Sequence, residues 1–285
     1  MTVYDILIIG GGAAGIAAAK AARGARVLLV DRKAELGGVL LQCAHHGFGR
    51  NQNGPEYAAA LLADFPEEIE LALEATVLSV SRDKTAVLSG KKLGLRTVRF
   101  QQLILAAGCR EIPMGALSIA GTRPKGVYTA GQMQEMMNLH GHIPEGPVVI
   151  LGSGDLGLIM AKQLAEAGLS VILVEKIAQC GGMARNQKYL AEFPIQLLCN
   201  DTIAEVHGYP AITGCTTSQG GYLPCKTLLI AAGLRPEREL IAELGNPDWL
   251  HICGNCNRVH PMVEAVVHEG TQAGIAATES IRGDL

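Results

Sequence analysis

Residues 4–15, YDILIIGGGAAG, decide the fold of this chain, because a short apolar run passes directly into three glycines and a run of small residues. Gly10, Gly12 and Gly15 have the spacing GxGxxG, and a second apolar run, ARVLLV (25–30), ends at Asp31. A strand before the glycines, a helix after them and an acid closing the next strand are the complete setting of a dinucleotide-binding fingerprint. We therefore predict a strand–helix–strand unit over this stretch.

Each glycine of the fingerprint has its own physical task. Gly10 permits the tight turn, Gly12 lets the backbone approach a pyrophosphate, and Gly15 lets helix and strand pack closely. The helix N-terminus offers unpaired N–H groups and a positive dipole end to phosphates. The residues expected to contact the first dinucleotide are Gly10, Gly12, Ala13, Ala14, Gly15, Asp31 and Arg32.

The same arrangement returns in the second half of the chain. PVVILGSGDLGLIMAKQLAEAGLSVILVEK (147–176) again places GxGxxG between an apolar run and a helical stretch, and an acid closes the next strand. DRKAELGG (31–38) is matched by EKIAQCGG (175–182), with the same spacing from the acid to a glycine pair. Two fingerprints in full context are a strong signal, whereas one alone is weak. The residues expected to contact the second dinucleotide are Gly152, Gly154, Leu156, Gly157 and Glu175.

Two further runs repeat as well. QQLILAAGCREIP (101–113) and KTLLIAAGLRPE (226–237) each read as a strand that ends in Ala-Ala-Gly and crosses towards the other domain. Between the fingerprints, residues 74–100 read as a small antiparallel meander. The fold class is therefore α/β, with two Rossmann-like dinucleotide-binding domains, the second (113–244) inserted in the first (1–112 and 245–285). Further cofactor contacts are expected at Ala107, Gly108 and Gly233.

Composition bounds the class of protein. The chain has 285 residues, of which 48% are hydrophobic, a net charge of −3 and a pI near 6.2. A chain of this size can bury one large hydrophobic core or two smaller ones. It lacks the excess of positive charge that binding to nucleic acid or to an anionic membrane would favour. The N-terminus lacks a basic region and its apolar run is short, so we expect neither a signal peptide nor a membrane span. The eight scattered cysteines favour thiols in a reducing cytoplasm.

Taken together, the two fingerprints, the paired Ala-Ala-Gly strands and a closing strand–glycine–helix (251–281) resemble the two-dinucleotide-binding flavoprotein reductases of the pyridine nucleotide-disulfide oxidoreductase superfamily. The resemblance covers essentially the whole chain. It implies an FAD-dependent NAD(P)H oxidoreductase, with FAD on the first fingerprint (1–112 and 245–285) and NAD(P)H on the second (113–244).

The stretch GGVLLQCAHHGFG (37–49) narrows the resemblance. Together with LGSGDLGLIMAKQL, GGMARN and ICGN, it is similar to flavoprotein subunits encoded with anaerobic glycerol-3-phosphate dehydrogenase and to those of opine oxidase, hydrogen cyanide synthase and dye-linked proline dehydrogenase. His46 stands where that group has Asn, and Pro261 where we expect Asp. Larger members carry a cysteine-rich iron–sulfur module, and we expect no such cluster here.

The resemblance implies hydride transfer from a nicotinamide to the flavin and electron delivery to a partner dehydrogenase subunit, within an oligomer. A carboxylate at Glu175 can bond a ribose hydroxyl and would repel a 2′-phosphate, which favours NADH, although Lys176 works against this. Gly38 and Val39 are expected to line the flavin side. Gly254 and Asn255 replace the usual Gly-Asp pair at the flavin ribityl chain, where the amide oxygen of Asn can still accept a hydrogen bond.

Cys43, His45 and His46 are the candidate catalytic residues, and each has a plainer alternative. Cys43 has no second cysteine at the spacing of a flavin-side dithiol, and it reads more readily as a small buried hydrophobe than as a redox thiol. The two histidines could donate protons near the flavin or simply shape the turn. Cys253 and Cys256 form a lone CxxC. We expect no metal there, and a metal site or a redox disulfide formed by the two cysteines stays open as a minor alternative.

Two rival functions stay open. One is a stand-alone reductase of a disulfide, a quinone or oxygen, with Cys253 and Cys256 serving the first case. The other is a non-catalytic subunit that binds adenine nucleotide and holds its FAD for structure only. The sequence contains no pocket motif for a sugar phosphate or an amino acid, so no substrate beyond the nicotinamide is inferred.

Overall fold

The computed structural model of the protein describes residues 2–283. Its strands, in chain order, are β1 Thr2–Ile9, β2 Val27–Val30, β3 His46–Phe48, β4 Gln52–Asn53, β5 Glu70–Ala72, β6 Ala75–Ser81, β7 Thr85–Gly90, β8 Gly94–Leu105, β9 Cys109–Glu111, β10 Ala120–Gly121, β11 Val127–Thr129, β12 Val148–Leu151, β13 Val171–Val174, β14 Ile195–Leu198, β15 Ile203–His207, β16 Gly214–Thr217, β17 Tyr222–Pro224, β18 Thr227–Ile230, β19 Leu234–Pro236 and β20 Leu250–Ile252. Its helices are α1 Ala13–Ala21, α2 Gly54–Leu62, α3 Ala130–His140, α4 Asp155–Glu166, α5 Ala184–Gln187, α6 Tyr189–Glu192 and α7 Val263–Gly283.

The chain forms two compact units. Unit 1 holds the residues up to Arg110 and those from Arg235 onward, and unit 2 is Glu111–Leu234. The sequence predicts that the first domain ends at residue 112 and resumes at residue 245. In the structure unit 1 resumes at Arg235, ten residues earlier than predicted. Ile241 and Leu244 explain the difference, because they pack into the unit 1 core and bring the residues after 235 into that unit.

Unit 1 is built on a seven-stranded sheet in the order β5-β2-β1-β8-β7-β6, with β20 also beside β8. β1 pairs with β2 on one side and with the second half of β8 on the other, and β20 pairs with the end of β8. All three pairings are parallel. The last four residues of β1 and all of β2 are buried, as expected of parallel strands covered on both faces. The predicted strand–helix–strand unit is thereby confirmed.

The predicted meander is also confirmed. β6, β7 and the first half of β8 pair antiparallel, and the second half of β8 continues without a break into the parallel part of the sheet. One strand therefore belongs to both substructures. This places Ala106-Ala107-Gly108 at the carboxyl edge of the sheet, beside the end of β1.

Helices α1 and α7 cover one face of the unit 1 sheet and pack closely together. A Cβ on Gly270 would overlap the carbonyl oxygen of Ala14, and one on Gly274 would overlap that of Ala18. Because both helices present small residues, their backbones approach to a distance that larger side chains would prevent. The C-terminal helix is thus fixed to the helix of the first fingerprint.

Unit 2 repeats the parallel core on a smaller scale. Its five-stranded sheet has the order β11-β18-β12-β13-β14, and every pairing in it is parallel. A second sheet, β10-β15-β16-β17, lies in the same unit. The α/β fold class, with two Rossmann-like domains of which the second is inserted in the first, is confirmed.

The described residues hold neither a helix suited to a membrane nor a side-chain cluster suited to a metal. None of the helices within residues 2–283 combines the length and the apolar character needed to cross a bilayer. Over the same range, no three His, Cys, Asp or Glu side chains are grouped in a way that could hold a metal ion.

Candidate functional site

The first fingerprint forms a turn in which two of its three glycines are packed against backbone. A Cβ on Gly10 would overlap the carbonyl oxygen of Ala106, and one on Gly15 would overlap that of Gly10. Gly10 also has a φ of 107°, which disfavours other residues. These two positions require glycine because of the fold itself.

The middle glycine of the first turn faces open space. The nearest atom to a Cβ on Gly12 would be the Cα of Gly38, at 4.0 Å. Gly12 is the N-cap of α1, and no side chain caps this helix end. The first backbone N–H groups of α1, from Ala13 to Gly15, therefore point out of the helix without intrahelical partners, as an anion site requires.

Asp31 is tied to the same turn. Its Oδ2 accepts a hydrogen bond from the N–H of Gly11 at 2.5 Å, and its Oδ1 accepts one from the N–H of Lys33 at 2.7 Å. The carboxylate thus holds the glycine turn against the end of β2. Arg32, the other predicted contact at this strand end, has an exposed side chain.

The segment 37–49 begins directly against the fingerprint. Gly38 has a φ of 57°, and its Cβ would lie 2.9 Å from the Cα of Gly12. The backbone of Gly37 donates a hydrogen bond to the carbonyl of Gly11 at 2.8 Å. A 3-10 turn, Gly38–Gln42, follows, and the Val39 side chain is 62% exposed. Gly38 therefore borders the open space beside Gly12, and Val39 follows it with an exposed side chain.

Cys43 is buried, and its thiol donates to the carbonyl of Val39 at 3.2 Å. Burial raises the pKa of this thiol to about 12, so it stays protonated at neutral pH. A protonated thiol is a poor nucleophile, and this environment favours the packing alternative for Cys43. The His45 ring packs against Phe48 with centroids 5.1 Å apart, whereas His46 is exposed at the start of β3. A catalytic role for these three residues stays a prediction.

The loop after β20 lies against the first turn of α1. Gly254 has a φ of 67°, and its Cβ would come within 2.8 Å of the Cβ of Ala14. Asn255 follows in a short 3-10 turn, and its Oδ1 accepts a hydrogen bond from the backbone N–H of His260 at 3.0 Å. The helix α7 begins later, at Val263. Unit 1 therefore brings Gly12, Gly38 and Gly254 to the same end of its sheet.

In unit 2 the second fingerprint has the same geometry. A Cβ on Gly152 would overlap the carbonyl oxygen of Ala231, and one on Gly157 would overlap that of Gly152. A Cβ on Gly154 would meet nothing within 4 Å. Gly154 is the N-cap of α4, again without a side-chain cap. The first turn of α4 includes Leu156, so its N–H groups face the same kind of opening.

Glu175 occupies the place in unit 2 that Asp31 has in unit 1. Its Oε2 accepts from the backbone N–H of Ser153 at 2.8 Å and from the Ser153 hydroxyl at 2.6 Å, and its Oε1 accepts from the N–H of Ile177 at 3.2 Å. Burial raises the pKa of Glu175, but these hydrogen bonds outweigh it, and the net pKa lies below the usual range. Glu175 is therefore ionised at neutral pH.

Sequence reasoning missed two side chains of the second fingerprint. The Ser153 hydroxyl accepts from the N–H of Gly181 at 2.9 Å, and the Asp155 Oδ1 accepts from the N–H of Met183 at 2.8 Å and from the Asn186 side chain at 2.7 Å. Both lie at the variable positions of GxGxxG, which the glycine pattern does not constrain. Together they bind the fingerprint turn to the segment after β13.

The remaining predicted contacts lie at the strand ends beside the fingerprints. Ala107 and Gly108 follow β8, and Gly233 follows β18. The backbone N–H of Ala106 donates to the carbonyl of Ile9 at 2.8 Å, and that of Ala231 donates to the carbonyl of Leu151 at 2.8 Å. Each Ala-Ala-Gly segment is therefore bound to the last residue of the strand that precedes its fingerprint.

Cys253 and Cys256 are both buried thiols, but they pack into different cores of unit 1. Cys253 joins the cluster that includes α1 and α7, and Cys256 joins the one on the opposite face of the sheet. Burial raises the pKa of each thiol. Both thiols also donate to the carbonyl of Leu105, at 3.8 Å from Cys253 and 3.0 Å from Cys256. Their burial favours protonated core thiols over a reactive thiolate.

Both turns fit a dinucleotide. In each, two glycines are filled by backbone while the middle one leaves space beside an uncapped helix N-terminus, which is the cradle that a pyrophosphate requires. The duplicated turn on a two-domain α/β frame defines a class: oxidoreductases that hold two dinucleotides.

The family follows from comparison with known proteins. Residues 4–247 match the family model described as pyridine nucleotide-disulphide oxidoreductase, so the chain belongs to that family. Enzymes of this family are FAD- and NAD(P)H-dependent oxidoreductases, and FAD and NAD(P)H are the cofactors of this chain.

Two curated proteins within this wider likeness are similar in sequence to this chain. An opine oxidase subunit of Agrobacterium tumefaciens (strain Ach5) is 34% identical over 204 residues, covering 67% of this chain and 40% of the relative. Hydrogen cyanide synthase subunit HcnB of Pseudomonas protegens is 31% identical over 197 residues, covering 66% of this chain and 41% of the relative. The resemblance predicted from residues 37–49 and 252–255 is confirmed, and the chain spans about two fifths of the length of these curated relatives.

Among solved structures, the fold is similar to that of thioredoxin reductase from T. acidophilum. The TM-score is 0.80 at 18% identity, and the match covers 99% of this chain and all of that one. At this identity the likeness concerns the fold alone.

Proposed function

We propose that the protein oxidises NADH by means of FAD held in unit 1 and delivers the electrons to an acceptor on a partner dehydrogenase subunit. Unit 1 binds FAD at Gly12 and the N-terminus of α1, and unit 2 binds the nicotinamide dinucleotide at Gly154 and the N-terminus of α4. When bound, the two cofactors supply hydride transfer and electron storage.

The duplicated turn carries this proposal. Two uncapped helix N-termini, each beside an open glycine, supply two anion sites in one chain. In unit 1, Gly38 lies beside Gly12 and Gly254 lies beside Ala14, so the segment after β2 and the loop after β20 would both help to hold FAD. In this position Asn255 offers its side-chain amide, while its Oδ1 is oriented by His260.

The donor is NADH because Glu175 is ionised and stands at the end of β13. A carboxylate there accepts hydrogen bonds from ribose hydroxyls, and it repels the dianionic 2′-phosphate of NADPH. Lys176 is the neighbouring charge that opposes this preference, whereas the Glu175 carboxylate is held at the strand end by the backbone N–H and the hydroxyl of Ser153.

The acceptor lies on a partner protein, by analogy with the relatives. The opine oxidase and hydrogen cyanide synthase proteins that this chain resembles are named as subunits of larger enzymes. The burial of Cys253 and Cys256, which raises the pKa of both thiols, argues against the rival in which this chain reduces a disulfide through its own CxxC.

An anaerobic titration tests the proposal. The purified protein is titrated with NADH and, separately, with NADPH while the visible flavin absorption is recorded. We expect stoichiometric bleaching by NADH at a concentration well below that needed with NADPH. Preference for NADPH would overturn the role of Glu175, and a flavin that neither donor bleaches would support the non-catalytic role instead.

Turnover separates the two catalytic alternatives. A disulfide substrate that is reduced by the wild-type protein and not by Cys256→Ser would favour the stand-alone reductase. We expect no such turnover, and we expect Cys43→Ser to bleach with NADH at a rate close to that of the wild-type protein, because the Cys43 thiol is buried and protonated.

A further inference from the structure

Glu269 on α7 gathers the polar groups of the loop that joins β20 to α7. Its Oε2 accepts hydrogen bonds from the backbone N–H of Gly254 at 2.9 Å and from the Asn257 side chain at 3.3 Å. Its Oε1 lies 2.9 Å from Nε2 of His260 and 3.6 Å from Nε of Arg258. Both carboxylate oxygens therefore face this loop.

The Glu269–His260 pair is largely shielded from solvent. The side chains are 21% and 5% exposed, whereas that of Arg258 is 76% exposed. Burial raises the pKa of Glu269, but the nearby His260 ring and the hydrogen bonds from Asn257 and Gly254 outweigh it and lower the net pKa. Arg258 is thus a peripheral partner, and His260 and Gly254 are the inner ones.

The loop that Glu269 holds lies beside the first fingerprint. Gly254 packs against Ala14 in the first turn of α1, and Gly270, the residue after Glu269, packs against the carbonyl of the same Ala14. Glu269 therefore stands at the point where α7, α1 and the loop meet. Any shift of the loop moves backbone that packs against Ala14, two residues after Gly12.

Arg238 fixes the other side of the loop. Its Nε donates to the carbonyl of Cys256 at 2.5 Å, and its Nη2 donates to the carbonyl of Asn257. On the inner side, the backbone N–H of His260 holds the Asn255 side chain at 3.0 Å. The conformation of Asn255 is thus set by His260, and the position of His260 is set by Glu269.

We propose that Glu269 is a positioning residue for FAD, which acts through Gly254 and His260 to hold Asn255 and the loop backbone in the shape that receives the flavin. The proposal rests on the proposed placement of FAD in unit 1. Neither the glycine pattern nor the resemblance assigns Glu269 a role, since it lies fourteen residues beyond Asn255 and on a helix.

A carboxylate suits both sides of this position, because each of its oxygens can accept a hydrogen bond. Its two oxygens accept from Gly254 on one side and face His260 on the other. A glutamine of nearly the same shape has only one acceptor oxygen, so its amide NH2 would face either the Gly254 N–H or the His260 edge. Glu269→Gln therefore disturbs the loop with little change in packing.

The test compares Glu269→Gln with Glu279→Gln, an exposed glutamate on the same helix that undergoes the same chemical change. FAD released from the holoprotein on dilution gives the dissociation constant, and visible circular dichroism reports the surroundings of the bound flavin. We expect Glu269→Gln to weaken FAD binding about tenfold and to change the flavin circular dichroism, whereas Glu279→Gln matches the wild-type protein in both.

His260→Gln is the second variant and covers the case in which Glu269→Gln does not fold. We expect it to change the flavin circular dichroism in the same direction, and the double variant to add little to either single one, because the two residues act as a pair. Wild-type binding and an unaltered flavin spectrum in His260→Gln, or in a folded Glu269→Gln, would overturn the proposal.

A separate control distinguishes two ways to fail: FAD does not bind at the first fingerprint, or FAD binds there but Glu269 does not position it. If FAD remains fully bound in Gly15→Ala, whose new Cβ would overlap the Gly10 carbonyl, the flavin does not sit on the first fingerprint and the proposed function is itself wrong. If Gly15→Ala loses FAD while the Glu269 and His260 variants do not differ from wild type, only the positioning role fails.

Discussion

The two fingerprint turns share their glycines but are held in place differently. In unit 1 the position after the first glycine is Gly11, and the Leu36 side chain and the Asp31 carboxylate fill the space beside it. In unit 2 the same position is Ser153, whose hydroxyl joins Glu175 to Gly181. One turn is closed by apolar packing and backbone hydrogen bonds, the other by a polar network.

A second difference lies at the helix N-termini. The first turn of α1 contains no acidic residue, whereas α4 begins with Asp155, whose carboxylate holds Met183 and Asn186. A negative charge at a helix N-terminus interacts favourably with the helix dipole and competes with a bound anion. We therefore expect unit 1 to be the stronger phosphate site. This difference suits a resident FAD in unit 1 and an exchanging nicotinamide dinucleotide in unit 2.

The largest expected effect comes from the third glycine of each turn. Gly15→Ala and Gly157→Ala each place a Cβ on a backbone carbonyl oxygen that no side-chain rotation can move. Overpacking of this kind costs about 1–3 kcal/mol, and where the cost falls on the bound state it corresponds to roughly 5- to 150-fold in affinity. We expect Gly15→Ala to lose FAD, measured as flavin content after gel filtration, and Gly157→Ala to keep FAD and lose NADH-dependent bleaching.

The pair also tests which nucleotide occupies which unit. If Gly157→Ala lost FAD while Gly15→Ala retained it, the assignments of the two units would have to be exchanged. The thermal midpoint of each variant, read by far-ultraviolet circular dichroism, separates loss of binding from loss of the fold.

The middle glycine should give a smaller and cleaner effect. A Cβ on Gly154 meets no atom within 4 Å, so Gly154→Ala causes no steric clash in the free protein and intrudes only on a bound dinucleotide. We expect an unchanged thermal midpoint and about tenfold weaker NADH binding, measured by the NADH concentration that half-bleaches the flavin.

Gly115→Ala provides the matched control for that substitution. Gly115 also has open space around its Cβ and lies in the same unit, but away from the fingerprint in sequence. Weaker NADH binding in Gly115→Ala as well would mean that the effect at Gly154 is not local to the turn.

These glycines also show how far the sequence could predict the structure. The spacing of Gly10, Gly12 and Gly15 predicted strand, turn and helix, because close backbone contacts leave no choice of residue at two of the three positions. The duplication then predicted unit 2. Long-range packing is different: that Ile241 and Leu244 belong to unit 1 depends on tertiary contacts that no local pattern carries.

The same limit applies to the candidate site. Asp31 and Glu175 were predictable because an acid at the end of the second strand belongs to the motif. Ser153, Asp155 and Glu269 were not, since their partners are backbone N–H groups distant in sequence. Residues whose role is to hold other backbone in place have no signature of their own, because many polar residues could do this at many positions.

A charge substitution sharpens the comparison of the two helix ends. In Asp155→Asn the side-chain oxygen can still accept from Met183 and Asn186, but the negative charge at the N-terminus of α4 is removed. Charges near helix ends are worth about 0.3–1 kcal/mol, so we expect NADH to bind about 2- to 5-fold more tightly at low salt. The measurement is the same half-bleaching concentration.

Asp155→Ala separates charge from hydrogen bonding, because it removes both. We expect it to bind NADH no better than the wild-type protein, since the segment 183–186 loses its anchor. Weaker binding in Asp155→Asn would show that the carboxylate charge assists the nucleotide, and the contrast between the two units would then be wrong.

The smallest expected effect is that of pH: we expect the preference for NADH over NADPH not to change near neutral pH. The pKa of Glu175 lies below its usual range in the folded protein, so the carboxylate and the stability it contributes are present at neutral pH and are lost only as pH falls through that lowered value. The ratio of NADH to NADPH half-bleaching concentrations should therefore stay constant between about pH 7 and about pH 8, where the 2′-phosphate is largely dianionic. A ratio that changes over this interval would assign the discrimination to a group that titrates near neutrality, and Glu175→Gln, which removes the charge while keeping an acceptor oxygen, would then leave the ratio unaltered.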